Sequence, residues 1–143
     1  MKPFEHVSLQ CIYCDDIRDE ANGKTTIVGW YGNEVISLPP EKPLVLSNLC
    51  VIGMVTMPLF SKFTSFKVEL MQDENVVQSI IVPSEPVEAM QESDNGSSFP
   101  QIGKQVRIAI KMLNMQISNP CILRLRIVLD GNEVSGNGLC FTR

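Results

Sequence analysis

The chain has 143 residues, 44% of them apolar and 20% charged, and a formal net charge of −4. That length is typical of one domain, which buries about 70% of the surface its unfolded chain exposes, and the composition excludes fibrous and disordered classes. The negative charge disfavours nucleic acid and anionic membranes as partners unless a local basic patch overrides it.

Met1-Lys2-Pro3-Phe4-Glu5-His6 carries one lysine and then a glutamate, with no apolar run of signal-peptide length behind it. No segment reaches 18 consecutive apolar residues, so a cytoplasmic location is the expectation. An odd set of five cysteines without a secretory signal points to reduced thiols.

The first strand is expected at about 6–14. It holds Cys11-Ile12-Tyr13-Cys14, which has the spacing of a zinc knuckle or redox pair. Residues three apart on a strand point to opposite faces, whereas zinc and redox pairs sit on tight turns or helix N-termini. Ordinary buried cysteines are therefore the preferred reading. His6 is the one histidine, so a Ser-His-Asp or Cys-His device would have to recruit the chain terminus.

Next comes Asp15-Asp16-Ile17-Arg18-Asp19-Glu20, a density of acids that could hold a hard cation through oxygen ligands. Arg18 and Lys24 offset part of that charge, and the spacing misses the EF-hand pattern. A hairpin corner fits better, with Asp15 or Asp16 accepting backbone N–H bonds and pairing with Arg18, and Asn22-Gly23 turning the chain back. The second strand, about 25–31, ends in Trp30-Tyr31. Alternation puts Trp30 opposite part of the core, as a second-layer core residue of a sandwich or, less in favour, as an exposed interface anchor.

Further apolar runs at about 44–57 and 76–82, and the alternation of Phe66, Val68 and Leu70 with Lys67 and Glu69, predict three more strands. Pro83 to Gly103 reads as a long surface loop, with at most a turn or two of helix between Glu85 and Glu92. Val106, Ile108, Ile110 and Met112 form the next alternating set, and Leu123, Leu125, Ile127 and Leu129 the one after it. A turn at Gly131-Asn132 then predicts a last hairpin in which Gly136 faces Ile127 and Gly138 faces Leu125, through tight packing or a bulge.

Charge is distributed in blocks. Asp73, Glu74, Glu85, Glu88, Glu92 and Asp94 follow one another without a base, and Lys104, Arg107, Lys111, Arg124 and Arg126 without an acid. Were the strands near 104–116 and 121–129 paired around Ser118-Asn119-Pro120, Arg107, Lys111, Arg124 and Arg126 would share one face. Their repulsion calls for an anionic cover. The acidic 73–94 segment or Glu69 is the first candidate, and an anionic ligand, nucleic acid or acidic protein the second.

The segment from Cys14-Asp15-Asp16-Ile17-Arg18 through Gly23-Lys24 to Gly29-Trp30-Tyr31-Gly32 resembles the N-terminal signature of an uncharacterised family of small bacterial proteins. The likeness implies a β-rich fold and a bacterial or phage setting. It assigns no catalytic residue, and the Pro83–Gly103 segment has no counterpart in it.

Residues 1–143 are thus expected to form a single antiparallel β-sandwich of about eight or nine strands, immunoglobulin-like or C2-like. The expected role is that of a non-catalytic module with a protein partner, no nucleic acid, no membrane, no metal and no cofactor. Homo-oligomerisation through open sheet edges is compatible with this architecture. Binding is expected at Asp15, Asp16, Arg18 and Trp30, and along Arg107, Lys111, Arg124 and Arg126. The alternatives are a cation-dependent binder or enzyme using Asp15, Asp16 and Asp19, and a phage structural or assembly component.

Overall fold

A computed structural model describes residues 6–58, 61–83, 85–88 and 103–143. The chain is all-β, with ten strands in chain order: β1 (Ser8–Cys14), β2 (Asp16–Asp19), β3 (Thr25–Val28), β4 (Val35–Ser37), β5 (Leu44–Pro58), β6 (Phe66–Gln72), β7 (Asn75–Val82), β8 (Gly103–Ile117), β9 (Cys121–Leu129) and β10 (Asn132–Thr142). They form three sheets, ordered β1-β5-β8, β4-β10-β9-β6-β7 and β2-β3.

The all-β, antiparallel character is as expected, with ten strands in three sheets where about eight or nine in one sandwich were expected. The acidic corner forms a separate two-stranded ribbon, and the short β4 lies parallel to β10. The helical turn allowed after Glu85 is present at 85–88, where Val87 is buried. The rest of the long 83–103 loop, including Glu92 and Asp94, lies outside the described residues.

The main core is built from the inward rows of the two larger sheets. Leu9, Val51, Val55 and Ile110 come from the three-stranded sheet, and Val68, Leu70, Leu123, Leu125 and Ile127 from the five-stranded one. Strand β9 alternates buried and half-buried residues without a break, as its period-two pattern demands. Strand β5 does not alternate, because both of its faces are covered over part of its length. Beneath the ribbon, Cys14, Cys50 and Ile52 form a second buried cluster with Ile12 and Ile17 against it.

Two register expectations change. Strands β8 and β9 do not pair: β8 runs antiparallel along β5 from Leu44↔Ile117 to Pro58↔Gly103, so Ser118-Asn119-Pro120 carries the chain from one sheet to the other. The final hairpin turns one residue earlier than expected. Positive φ falls on Asp130 and Gly131, and Asn132 faces Leu129, so Val134 and not Gly136 faces Ile127. The bulge is present, between Ser135 and Gly138.

That bulge joins the two larger sheets along one seam. The Asn137 side chain accepts from the Cys11 N–H at 2.6 Å and donates to the Cys11 carbonyl at 2.9 Å, so one amide mimics a strand neighbour for the edge of β1. The buried Tyr13 hydroxyl is 2.7 Å from the Asn137 carbonyl and 3.2 Å from that of Leu123. A side chain at Gly136 would collide with Leu9 and the Cys11 sulfur, which is why glycine stands where the sheets meet.

Candidate functional site

The ribbon begins where β1 ends. Asp15 N–H donates to the carbonyls of Val28 and Gly29, and Tyr31 N–H donates to Tyr13 O at 2.8 Å, so the corner after β3 is tied to the end of β1 from two directions. Gly29 takes φ +67, and a Cβ there would land on the Asp15 carboxylate. That carboxylate in turn accepts from the Tyr31 hydroxyl at 3.1 Å. At the far end of the ribbon Gly23 takes φ +80 and donates to the Glu20 carbonyl, as the turn expectation requires.

Between Gly29 and Tyr31, both held by backbone hydrogen bonds, sits Trp30, 65% exposed. The expectation of a second-layer core position is corrected: the strand leading into Trp30 belongs to the ribbon and not to a large sheet, so no opposing layer covers it. Ile27 and Val28 immediately before it are also exposed. The outcome is a large aromatic ring held in water on a corner whose neighbours are bonded on one side to Asp15 and on the other to Tyr13 of β1.

The acidic residues do not converge. Asp15 bonds Tyr31, Asp16 pairs with Lys111 at 3.2 Å, and Asp19 faces Arg107 at 3.7 Å. Among the described residues no group of three or more His, Cys, Asp or Glu could hold a metal ion. The backbone N–H of Ile17, and after it Lys111, hold the Asp16 carboxyl below its ordinary value. Among the described residues Arg18 makes no ion pair with Asp15 or Asp16, which corrects the pairing expected of it; its charge acts on Asp16 only as the weakest of the causes that lower it, and β8 supplies the paired cations.

The basic residues do not form one stripe. Arg107 and Lys111 lie on β8 in one sheet, and Arg124 and Arg126 on β9 in the other. The ribbon covers the first pair: Arg107 also donates to Thr25 Oγ1 at 2.6 Å. Arg126 reaches Glu69 at 2.9 Å and Glu133 at 3.5 Å, and Glu69 is only 6% exposed. Glu69 thus serves as anionic cover, for Arg126 alone of the four. Arg124 has no ion pair among the described residues and lines a cleft with Asp73, Glu74, Glu133 and Ser135.

The two cysteines of the Cys-x-x-Cys pair face opposite ways, Cys11 into the main core and Cys14 into the cluster under the ribbon. Burial pushes the Cys11 thiol up to about 11 and that of Cys14 up to about 12, the reverse of what a nucleophile or ligand needs. His6 is exposed. No helix among the described residues is long and apolar enough to cross a membrane.

The residues missed by sequence reasoning are Asn137, Tyr13 and Glu34, whose carboxylate accepts from the Asn137 amide at 2.6 Å. A polar Asn between two glycines inside a strand is the signal that pointed there, since it marks both a bulge and a close backbone approach.

Residues 10–139 match the model of a family described as a family of unknown function, DUF6941. No curated protein and no solved structure matches the chain.

Proposed function

We propose that this chain, which belongs to the DUF6941 family of unknown function, works without catalysis as a protein-interaction module and meets its partner through the Trp30 corner. One observation carries the reading: the single tryptophan is 65% exposed on a corner already fixed by Asp15, Gly29 and Tyr31. Exposed tryptophans are costly to keep in water and are over-represented among the residues that dominate binding energy. A pre-ordered one loses little conformational freedom on docking.

The rest of the reading follows the same line. Residues 1–143 act as one domain, its two larger sheets stacked as an immunoglobulin-like or C2-like sandwich with the ribbon added at one end. A bacterial or phage setting accords with the sequence signature.

The test is a quantitative pull-down from the native host with tagged wild type, Trp30→Ala and, as control, Leu113→Ala on the exposed β8. Trp30→Ala is expected to weaken capture by about 30-fold, a loss of about 2 kcal/mol, with an unchanged thermal melt. Equal capture by both variants would overturn the assignment to this corner.

A further inference from the structure

Of the four edges of the two larger sheets, one is unguarded among the described residues. Strand β4 is three residues long, β1 is closed by Asn137, and β8 carries Lys104, Arg107 and Lys111 along its length. Short length, closure and lysine are the usual devices against edge-to-edge pairing. Strand β7, Asn75-Val76-Val77-Gln78-Ser79-Ile80-Ile81-Val82, has no charge and no proline. It ends the five-stranded sheet with β6 on one side only. Its Val76, Val77, Ile80 and Ile81 are all exposed, Ile81 by 75%.

We infer that β7 pairs antiparallel with β7 of a second copy of this chain, joining two five-stranded sheets into one of ten strands. The strand is complementary to itself. A two-fold axis at Ser79 sets Ser79 against Ser79, Val77 against Ile81 and Gln78 against Ile80 of the second copy, so the most exposed side chain meets an apolar one twice. The pairing window ends at Val77, which is the extra residue of a bulge: Leu70 faces Gln78 while Met71 faces Val76.

Charge does not oppose the arrangement. Lys67 and Glu69 lie on β6, behind Ile81 and Ser79. Across the axis their copies are three strand spacings away, about 14 Å, which exceeds the screening length of about 8 Å at physiological salt. A charged or proline-bearing partner strand would gain nothing from this edge that a second copy does not supply.

Light scattering of the full chain over a concentration series tests the inference, with Ile81→Lys as the disrupting variant and Leu113→Lys as an exposed control on β8. Wild type and Leu113→Lys should approach twice the monomer mass as concentration rises, and Ile81→Lys should stay monomeric with an unchanged melt. Should Ile81→Lys fail to fold, Ser79→Cys decides. With diamide accepting the two thiol hydrogens, it should form an intermolecular disulfide that Ile81→Cys, facing Val77, does not. A wild type that remains monomeric throughout overturns the inference. So does a dimer insensitive to Ile81→Lys, a dimer broken by Trp30→Ala, or equal cross-linking at the two cysteine positions. Because Trp30 and β7 are separate, failure here leaves the Trp30 assignment standing, and the reverse also holds.

Discussion

Gly23 and Gly29 share a left-handed backbone conformation but differ in what surrounds them. Nothing lies within 4 Å of a Cβ placed at Gly23, whereas at Gly29 the Asp15 carboxylate occupies that space. Gly23→Ala should therefore cost only the backbone penalty, about 1–2 kcal/mol. Gly29→Ala should cost more, because Asp15 must also leave its bond to Tyr31. In the Asp15→Ala background the extra cost should vanish, since the obstructing carboxylate is gone; chemical denaturation of the four variants measures that coupling. If Gly29→Ala proves no worse than Gly23→Ala, the close fit of Asp15 under the corner is wrong. The turn at Gly23 was legible in the sequence because an Asn-Gly pair names its own geometry. The role of Asp15 was not, because an acid beside four charged neighbours looks the same whether it binds a cation, an arginine or a tyrosine hydroxyl.

At the scale of elements, the sequence was informative about strands and poor about their neighbours. The unbroken alternation of Leu123 to Leu129 marked β9 and its inward row. The pairing of β8 was missed because Ser118-Asn119-Pro120 breaks a strand equally well whether the chain returns in the same sheet or crosses to the other. Strand β5 hid its register because the ribbon buries its outer face at Cys50 and Ile52, which removes alternation as a guide. The seam between β1 and β10 makes a sharper claim. Asn137→Ala removes three hydrogen bonds and strands the Cys11 N–H and carbonyl beside the core, an expected loss of about 2–3 kcal/mol. Asn137→Asp keeps an acceptor for Cys11 N–H but sets a carboxylate against Glu34. It should be the worse variant near neutral pH and recover toward the alanine value as the pH falls into the carboxylate range. Urea midpoints at neutral and acidic pH distinguish the two; an aspartate variant as stable as wild type at neutral pH would show that the amide donates to neither group.

For the whole molecule, stability against pH should be limited from both sides by different groups. On the acid side, Asp130 accepts from the backbone N–H groups of Ser65 and Thr64 at 2.8 and 2.9 Å, which hold its carboxyl below the ordinary value, as Ile17 N–H and Lys111 do for Asp16. A depressed folded value means that the unfolded chain takes up protons first. This stabilisation is complete above the unfolded carboxyl value of ~3.9 and is lost as pH falls through the folded ones. Asp130 is exposed and the Asp16 side chain is half-exposed, so the acid limb should be shallow. On the alkaline side the signs reverse. Burial raises the thiols of Cys11 and Cys14 from 9.0 to about 11 and about 12, and the Tyr13 hydroxyl upward as well. These groups stay protonated in the fold while the unfolded chain gives up its protons. Their contribution is full below pH 9 and falls away as pH rises toward the folded values. The steeper limb should therefore be the alkaline one. Urea midpoints measured from acid to alkaline pH should show a plateau around neutrality and a decline above pH 9. The double variant Cys11→Ala, Cys14→Ala should lie lower on the plateau, having lost buried volume, yet fall less steeply above it. A parallel alkaline decline in the two proteins would mean that Cys11 and Cys14 do not carry that limb, and would leave Tyr13 and the other groups raised by burial, Tyr31, Cys50 and Cys121, as its source.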